Sequence, residues 1–344
     1  MSMVEGTAAS DMPPSVLVVS LNWNGWRETL TSVYSVLELN YPNLHVLVID
    51  NKSTDDSLEH RRTIHDDRVE ILELPENLGC SGGRNEGLKR ALAENFQYVW
   101  LLDNDAAVEG KDVLTSLVAL AESDPKIGLV SPRIAEPGKE GPLTYCGGIC
   151  SMDPVILMDD TSDPEEARRW AVKYPNAGLV YGTALLVKSS AIRLIGMLDE
   201  SLFAYGEDND YSYRSSQVGF LNVVDEKSTI QHEGKNEETN PLAMKPHYWY
   251  YKTRNICLFW RKHLGVIRAA RPSWWSFHRT LRRMCQCKEK QEATDAMLAG
   301  LWHGWIGRGG PYRPEYRMPK LLSAVIWRYA MAKAASSSSP HHGK

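Results

Sequence analysis

Two carboxylates one residue apart stand directly behind an apolar run, in Leu101-Leu-Asp-Asn-Asp-Ala106. A turn at the end of a buried strand projects such a pair into a crevice. Hard divalent cations take oxygen ligands of this kind, and Mg2+ commonly takes one or two carboxylates plus substrate phosphates. Asp103 and Asp105 are therefore candidate metal ligands, although a solvated acidic turn reads the same in isolation. A second cluster, Gly206-Glu-Asp-Asn-Asp-Tyr211, crowds the carboxylates of Glu207, Asp208 and Asp210 together. Such crowding raises the pKa of some members and suits a general base. The same residues would equally open a helix, where the dipole favours negative charge.

Asn77-Leu-Gly-Cys-Ser-Gly-Gly-Arg-Asn-Glu-Gly87 is a glycine-rich turn opening a helix. It would offer an anion the backbone N–H groups near Gly82 and Gly83 and the guanidinium of Arg84. It lacks the Gly-x-Gly-x-x-Gly register and does not follow the first strand, which disfavours dinucleotide binding; no Walker-type lysine motif is present. His232, in Gln231-His-Glu-Gly234, would ligate a metal if carboxylates converge on it and is otherwise an ordinary structural histidine.

A repeating strand–helix cycle must position these groups. Ser15–Leu21 is a continuous apolar run, as in a strand buried on both faces, and Trp26–Leu39 shows helical spacing at Leu30, Val33, Tyr34 and Leu37. Strands follow at Leu44–Ile49, Val69–Leu74, Tyr98–Leu102 and Ile127–Ser131, with helices near Asp55–Ile64, Gly83–Glu94 and Val113–Ala121. This alternation predicts a mostly parallel, doubly wound α/β sheet, whose ligands bind at the carboxyl ends of the strands. Asn22-Trp-Asn-Gly25, Asp50-Asn51 and Asp103-Asn-Asp105 all fall at those ends. Farther on, Leu143–Ser151 reads as a strand and Met158–Glu166 as an acidic loop. Gly178–Val187 and Ser189–Ile195 form a further strand–helix unit, and a helix is expected over Tyr211–Gln217, with Gly219 at its end.

Composition sets the frame. The 344 residues are 43% apolar and 24% charged, ordinary for a globular chain that buries a proper core. The start lacks the basic and apolar regions of a signal peptide, and no apolar run reaches 18 residues, so a cytoplasmic protein, soluble or peripheral at the inner face of the plasma membrane, is expected. Six cysteines do not make a disulfide scaffold; a split metal site from Cys146, Cys150, Cys285 and Cys287 has the wrong spacing for zinc, and reduced thiols are expected. The net charge of −4 hides an asymmetry, because from Arg261 onward 16 Lys/Arg face 4 Asp/Glu. This basic stretch, with Trp274, Trp275 and Phe277 among its arginines, reads either as an interfacial segment on anionic lipid or as a helical packing element or contact between two copies. Ser336–Lys344 is low-complexity and expected to be disordered.

The ordered set Val18-Val-Ser-Leu-Asn-Trp-Asn-Gly25, Val48-Ile-Asp-Asn-Lys-Ser-Thr-Asp55, Asn77-Leu-Gly-x-x-Gly-Gly83, Asp103/Asp105, Gly182-Thr-Ala-Leu-Leu-Val187 and Phe203-x-x-Gly-Glu-Asp-x-Asp210 resembles the family 2 glycosyltransferases, and within them the rhamnosyl- and galactofuranosyl-transferase-like branch. The resemblance implies a GT-A domain over residues 15–263; outside it, 1–14 is expected to be disordered and 264–335 to form a basic helical extension. It implies that Trp23 stacks on a nucleotide base, that Asn22, Asp50 and Asn51 serve the nucleoside, and that Arg84 lies near the phosphates. Asp103 and Asp105 correspond to the family's Asp-x-Asp, with Asp103 also on the donor side, and His232 to a histidine completing the metal site, for Mg2+ or Mn2+. Asp208 corresponds to the general base, with Glu207 and Asp210 supporting it or meeting the acceptor. Many relatives of this branch read Asn-Pro-Asp where this chain has Asp103-Asn-Asp105.

The implied activity is inverting transfer of a sugar, with rhamnose favoured, from a dTDP- or UDP-sugar to a hydroxyl of a glycan or lipid-linked acceptor in cell-surface polysaccharide synthesis. No nucleic-acid partner is expected. A haloacid-dehalogenase-like phosphohydrolase also uses Asp-x-Asp after a strand, but it needs that motif behind the first core strand, whereas here three strand–helix units precede it. A non-catalytic nucleotide-sugar binding module would have no use for the Glu207/Asp208/Asp210 group. A sugar-nucleotide pyrophosphorylase would place a glycine-rich loop after the first strand.

Overall fold

The structure, a computed structural model, describes residues 12–60, 63–138, 142–152, 157–232, 244–284, 290–316 and 324–329. The first part of the chain runs β1 (Val16–Asn22), α1 (Trp26–Leu37), β2 (Leu44–Asp50), α2 (Ser57–His60), β3 (Val69–Glu73), α3 (Gly79–Ala93), β4 (Tyr98–Asp103) and β5 (Ala106–Val108). Next come α4 (Val113–Ser123), β6 (Ile127–Ala135), β7 (Leu143–Tyr145), β8 (Gly147–Ser151), β9 (Leu157–Thr161), α5 (Pro164–Lys173), β10 (Gly178–Leu179), β11 (Ala184–Lys188) and α6 (Ser189–Ile195). The chain continues through α7 (Glu207–Gln217), β12 (Leu221–His232), α8 (Pro246–Met284) and α9 (Lys290–Ile306).

The main sheet has the order β3-β2-β1-β4-β11-β6-β12-β5, with β7 on β6; β3, β2, β1 and β4 are parallel, while β11 runs antiparallel to both its neighbours. Burial on both faces explains the unbroken apolar runs. Val16, Val18, Val46, Val48 and Trp100 face α1 and α4, whereas Leu17, Val19, Leu47, Ile49 and Leu101 face α3 and α6. The expected mostly parallel α/β architecture is the one the chain adopts. A three-stranded antiparallel sheet, β10-β8-β9, stands beside it.

The acidic loop expected at Met158–Glu166 is instead the end of β9 and the start of α5. Asp163 caps this helix by accepting from the Glu165 N–H, and Pro164 fits its first turn, so the acidic residues open a helix rather than lie in a loop. The strand β12 is absent from the sequence reading because polar residues interrupt it. Its register slips between Asp225 and Thr229, and buried Asp225 accepts from Ser116 and Ser228 there. The helix expected from Tyr211 begins at Glu207, its first turn acidic.

α8 crosses the expected boundary at residue 263 and is interrupted at Gly265, whose φ of 76° breaks the helix. Its two halves pack with α9 around Trp249, Phe277, Leu281 and Met297. Trp274 and Trp275 remain exposed. No helix among the described residues is long and apolar enough to cross a membrane. The segments expected to be disordered, but for residues 12–14, lie outside the described residues, as do Cys285 and Cys287. The four other cysteines are free thiols.

Candidate active site

The carboxyl ends of β1, β2 and β4 open onto a cavity of about 1360 Å3, closed on its far side by α7 and α8. Parallel register sets Asn22 beside Asp50, and their side chains bond to each other rather than to the cavity. Asn22 Nδ2 donates to Asp50 Oδ1 at 3.0 Å and to Ser53 Oγ at 3.1 Å, while Asn22 Oδ1 accepts from Thr29 Oγ1 and Gly25 N–H. This buried lattice presents Trp23, 56% exposed, at the cavity wall. Asn51 also lines the cavity and ties β2 to α3, accepting from Leu78 N–H and donating to the Gly79 carbonyl.

Gly82 and Gly83 do not line the cavity. They lie in the first turns of α3, pressed against apolar neighbours: a Cβ on Gly83 would sit 2.5 Å from Leu21 Cδ1. Their glycine identity answers to helix–strand packing, and the anion donors expected there are not brought to the site. Arg84, one residue on, is. It is 3% exposed, its Nη2 donating to Asp103 Oδ1 at 2.5 Å and to the Gly182 carbonyl at 3.0 Å, with Glu207 Oε1 3.6 Å from Nη1. Burial opposes its charge, but Cys80, Asp103 and Glu207 hold its pKa above the usual guanidinium value.

Antiparallel pairing of β12 with β5 sets His232 opposite Ala106 and so beside Asp105. His232 Nε2 lies 3.1 Å from Asp105 Oδ1 and 3.7 Å from Asp103 Oδ2. One ligand atom from each of the three falls within 4.8 Å of the others. Two carboxylate oxygens and an imidazole nitrogen gathered this closely fit a divalent cation. Burial pushes the Asp103 carboxyl up to about 6, against the pull of Arg84 and His232.

Asp208 faces the same cavity from the first turn of α7. Its Oδ2 accepts from the Gly182 N–H at 3.0 Å and its Oδ1 from the Asn209 N–H at 2.8 Å. Burial raises its pKa, against those two donors and the charges of Lys252 and Arg84. Glu207 is 6% exposed; burial and the charge of Asp208 raise its pKa, and its Oε1 accepts from the Cys80 thiol at 3.1 Å. Asp210 is turned away from the cavity. Its carboxylate meets His263, Lys262 and Arg214, which hold it well below the usual carboxylate range despite its burial. Helical geometry separates it from Asp208: residues two apart do not share a face.

Three groups at this site escaped the sequence reading. Gly182, noted only as part of a motif, is the junction between Arg84 and Asp208. Arg254 and Asn255 of α8, both buried, bond to carbonyls of the loop that leads into Asp208. A signal for Arg254 existed: it stands between Tyr250 and Cys257 at the i+4 position of a buried stripe, where an arginine is out of place.

The chain is 20% identical over 287 residues to the dTDP-rhamnosyl transferase RfbF of Shigella flexneri, covering 82% of this chain and 92% of that one. It is 24% identical over 252 residues to the N-acetylglucosaminyl-diphospho-decaprenol L-rhamnosyltransferase of Mycobacterium tuberculosis, covering 69% and 80%. Among solved structures, the mannosyltransferase PcManGT from Pyrobaculum calidifontis, in complex with GDP-Man and Mn2+, superposes with a TM-score of 0.53 at 17% identity, covering 96% of this chain and 91% of that one, which shows a shared GT-A fold. The family model described as glycosyl transferase family 2 matches residues 15–195, just over half of the chain, and the protein belongs to that family.

Proposed function

We propose that this protein is an inverting glycosyltransferase that moves a sugar from a nucleoside-diphosphate donor to an acceptor hydroxyl, with Asp208 as the general base. The observation that carries this reading is the meeting of two carboxylate groups at one cavity, Asp103 and His232, with Asp105 against them, on one side and Asp208 on the other, joined through Arg84 and Gly182. Asp208 accepts the proton of the attacking hydroxyl, and its raised pKa makes it a stronger base than an exposed carboxylate. The backbone donors from Gly182 and Asn209 hold the carboxylate in one orientation. Trp23 offers its exposed ring to the nucleotide base, Asn51 lies below the nucleoside, and Asn22 and Asp50 act indirectly by building the turn that carries Trp23. Arg84 balances the Asp103 and Glu207 carboxylates and supplies positive charge behind the donor phosphates.

Asp103, Asp105 and His232 would hold Mg2+ or Mn2+, which supplies charge neutralisation at the departing diphosphate. The donor is a dTDP- or UDP-sugar, with rhamnose favoured by the names of two relatives, and the acceptor is a glycan or lipid-linked sugar in the cytoplasm. In this reading residues 15–263 form the catalytic domain and the α8–α9 region supports it.

A hydrolysis panel across dTDP-, UDP- and GDP-sugars, with Mg2+ or Mn2+, tests the assignment. Cation-dependent release of the nucleoside diphosphate from one donor is expected. Release of inorganic phosphate from simple phosphomonoesters, with no donor hydrolysed, would favour the phosphohydrolase instead.

A further inference from the structure

Arg254 and Asn255 combine two features that work against stability, and both converge on one loop. The guanidinium of Arg254 is fully buried, and among the described residues no carboxylate pairs with it. Its Nη2 donates to the Leu202 carbonyl at 2.6 Å and reaches Ser201 O at 3.3 Å, its Nη1 donates to the Gly310 carbonyl, and its Nε donates to Asn255 Oδ1 at 2.8 Å. The rings of Tyr250 and Tyr251 lie about 5 Å from it. Carbonyl dipoles and aromatic faces compensate a buried cation less completely than a carboxylate does, so an apolar residue would be the more stable occupant.

The carbonyls it holds belong to a loop in unfavourable backbone geometry. Phe203, Tyr205 and Gly206 all have positive φ, 63°, 67° and 88°, and the two aromatic residues are strained there. Asn255 Nδ2 lies 3.0, 2.7 and 2.6 Å from the carbonyls of Leu202, Ala204 and Tyr205. On the opposite side the Ser81 N–H, in the first turn of α3, donates to the Phe203 carbonyl at 3.2 Å. The loop is thus gripped from two elements, and its next two residues are Glu207 and Asp208.

We propose that Arg254 and Asn255 are positioning residues: by fixing the carbonyls of residues 201–205 they set the start of α7 and aim the Asp208 carboxylate into the cavity. The inference rests on Asp208 being the base and gives α8, which lies beyond the residues matched by the family model, a part in the reaction without contact to the reacting atoms. Strain in the loop and a buried cation with no carboxylate partner among the described residues are tolerated because together they define one conformation for the base.

The test uses the full chain carrying Asn255→Ala or Arg254→Lys, with three readouts: amide hydrogen exchange, affinity for the donor hydrolysed by the wild type, and turnover of that donor. In Asn255→Ala, exchange should quicken about tenfold or more across residues 203–210 while that of β1 stays unchanged, and turnover should fall about tenfold or more with donor affinity unaltered. Arg254→Lys, which keeps the charge but loses the fork, should lie between the two. Should Asn255→Ala fail to fold, Arg254→Lys carries all three readouts. Unchanged exchange over 203–210, or wild-type turnover in a variant whose loop is loosened, would overturn the proposal. A wild-type chain that hydrolyses no donor counts against the function proposed above, and the exchange readout then decides by itself whether these residues hold the loop.

Discussion

Asp208 and Arg84 are held by the two ends of one residue: the Gly182 N–H donates to Asp208 Oδ2 at 3.0 Å, and the Gly182 carbonyl accepts from Arg84 Nη2 at 3.0 Å. Because Arg84 also grips Asp103, the proposed base and the candidate cation ligands are tied into one frame by a single backbone unit. That unit lies two residues before β11, the antiparallel strand inserted next to β4, and the carbonyl of the intervening Thr183 accepts the Asp103 N–H at 2.8 Å.

A side chain at Gly182 should disturb this frame. Its Cβ would lie 3.1 Å from Asp208 Cβ and 3.2 Å from both Asp208 Oδ2 and Arg84 Nη1, tighter than ordinary contact. Gly182→Ala is expected to lower turnover about tenfold to a hundredfold, the scale of a misaimed catalytic group, and to leave the fold intact. Steady-state kinetics alongside circular dichroism would check this; wild-type kinetics would mean that the neighbours yield without consequence.

The ion cluster of Asp210 should matter for stability rather than for chemistry. Its carboxyl is held well below the usual carboxylate range, so its contribution is present above the unfolded-state pKa and lost as pH falls through the depressed folded value. Asp210→Asn should destabilise the fold by about 3 kcal/mol at neutral pH, since it leaves Lys262 and Arg214 without this buried partner, and should flatten the acid limb of the stability profile. Urea unfolding from pH 3 to pH 7 measures both effects. A loss of turnover with no loss of stability would return Asp210 to the reaction.

The pH dependence of turnover should carry the opposite sign of shift. Burial raises the pKa of Asp208, and the base acts only when ionised, so the rate should rise with pH through an apparent pKa above that of an exposed aspartate. A pH–kcat profile reads it directly, and a rate already flat at pH 4 would show that no buried carboxylate titrates in the rate-determining step.

The candidate cation site makes a separate prediction. His232→Ala and Asp105→Ala should each weaken Mn2+-dependent donor binding about tenfold, or about 1.4 kcal/mol, while leaving donor binding in chelator unaltered. Calorimetry with and without Mn2+ distinguishes this from a general loss of structure.

The sequence was legible where a single element carries the signal. Unbroken apolar runs such as Val16–Leu21 identified parallel strands buried on both faces, and polar residues at their ends marked Trp23, Asn51 and Asp103 on the cavity. What escaped it depends on pairing between distant elements. His232 is named through the family resemblance, which residue spacing could not supply: the register that sets it beside Asp105 involves a strand whose polar bulge at Asp225 hides it from any periodicity. Gly82 and Gly83 looked like anion donors because glycine frees the backbone, yet close approach to Leu21 and Leu78 accounts for them. Asp210 was grouped with Asp208 by adjacency, and only the helix separates their faces. Arg254 showed only as an arginine out of place in a buried stripe, and the backbone carbonyls that it and Asn255 hold leave no trace in side-chain patterns.

The most direct measurement is turnover and donor affinity of Asp208→Asn, which keeps the shape of the side chain and removes its basicity. Turnover is expected to drop about 10²- to 10⁴-fold with donor affinity essentially unchanged. Retention of more than about a tenth of wild-type turnover would contradict the assignment of Asp208 as the base, since a group that takes the proton contributes at least about a hundredfold.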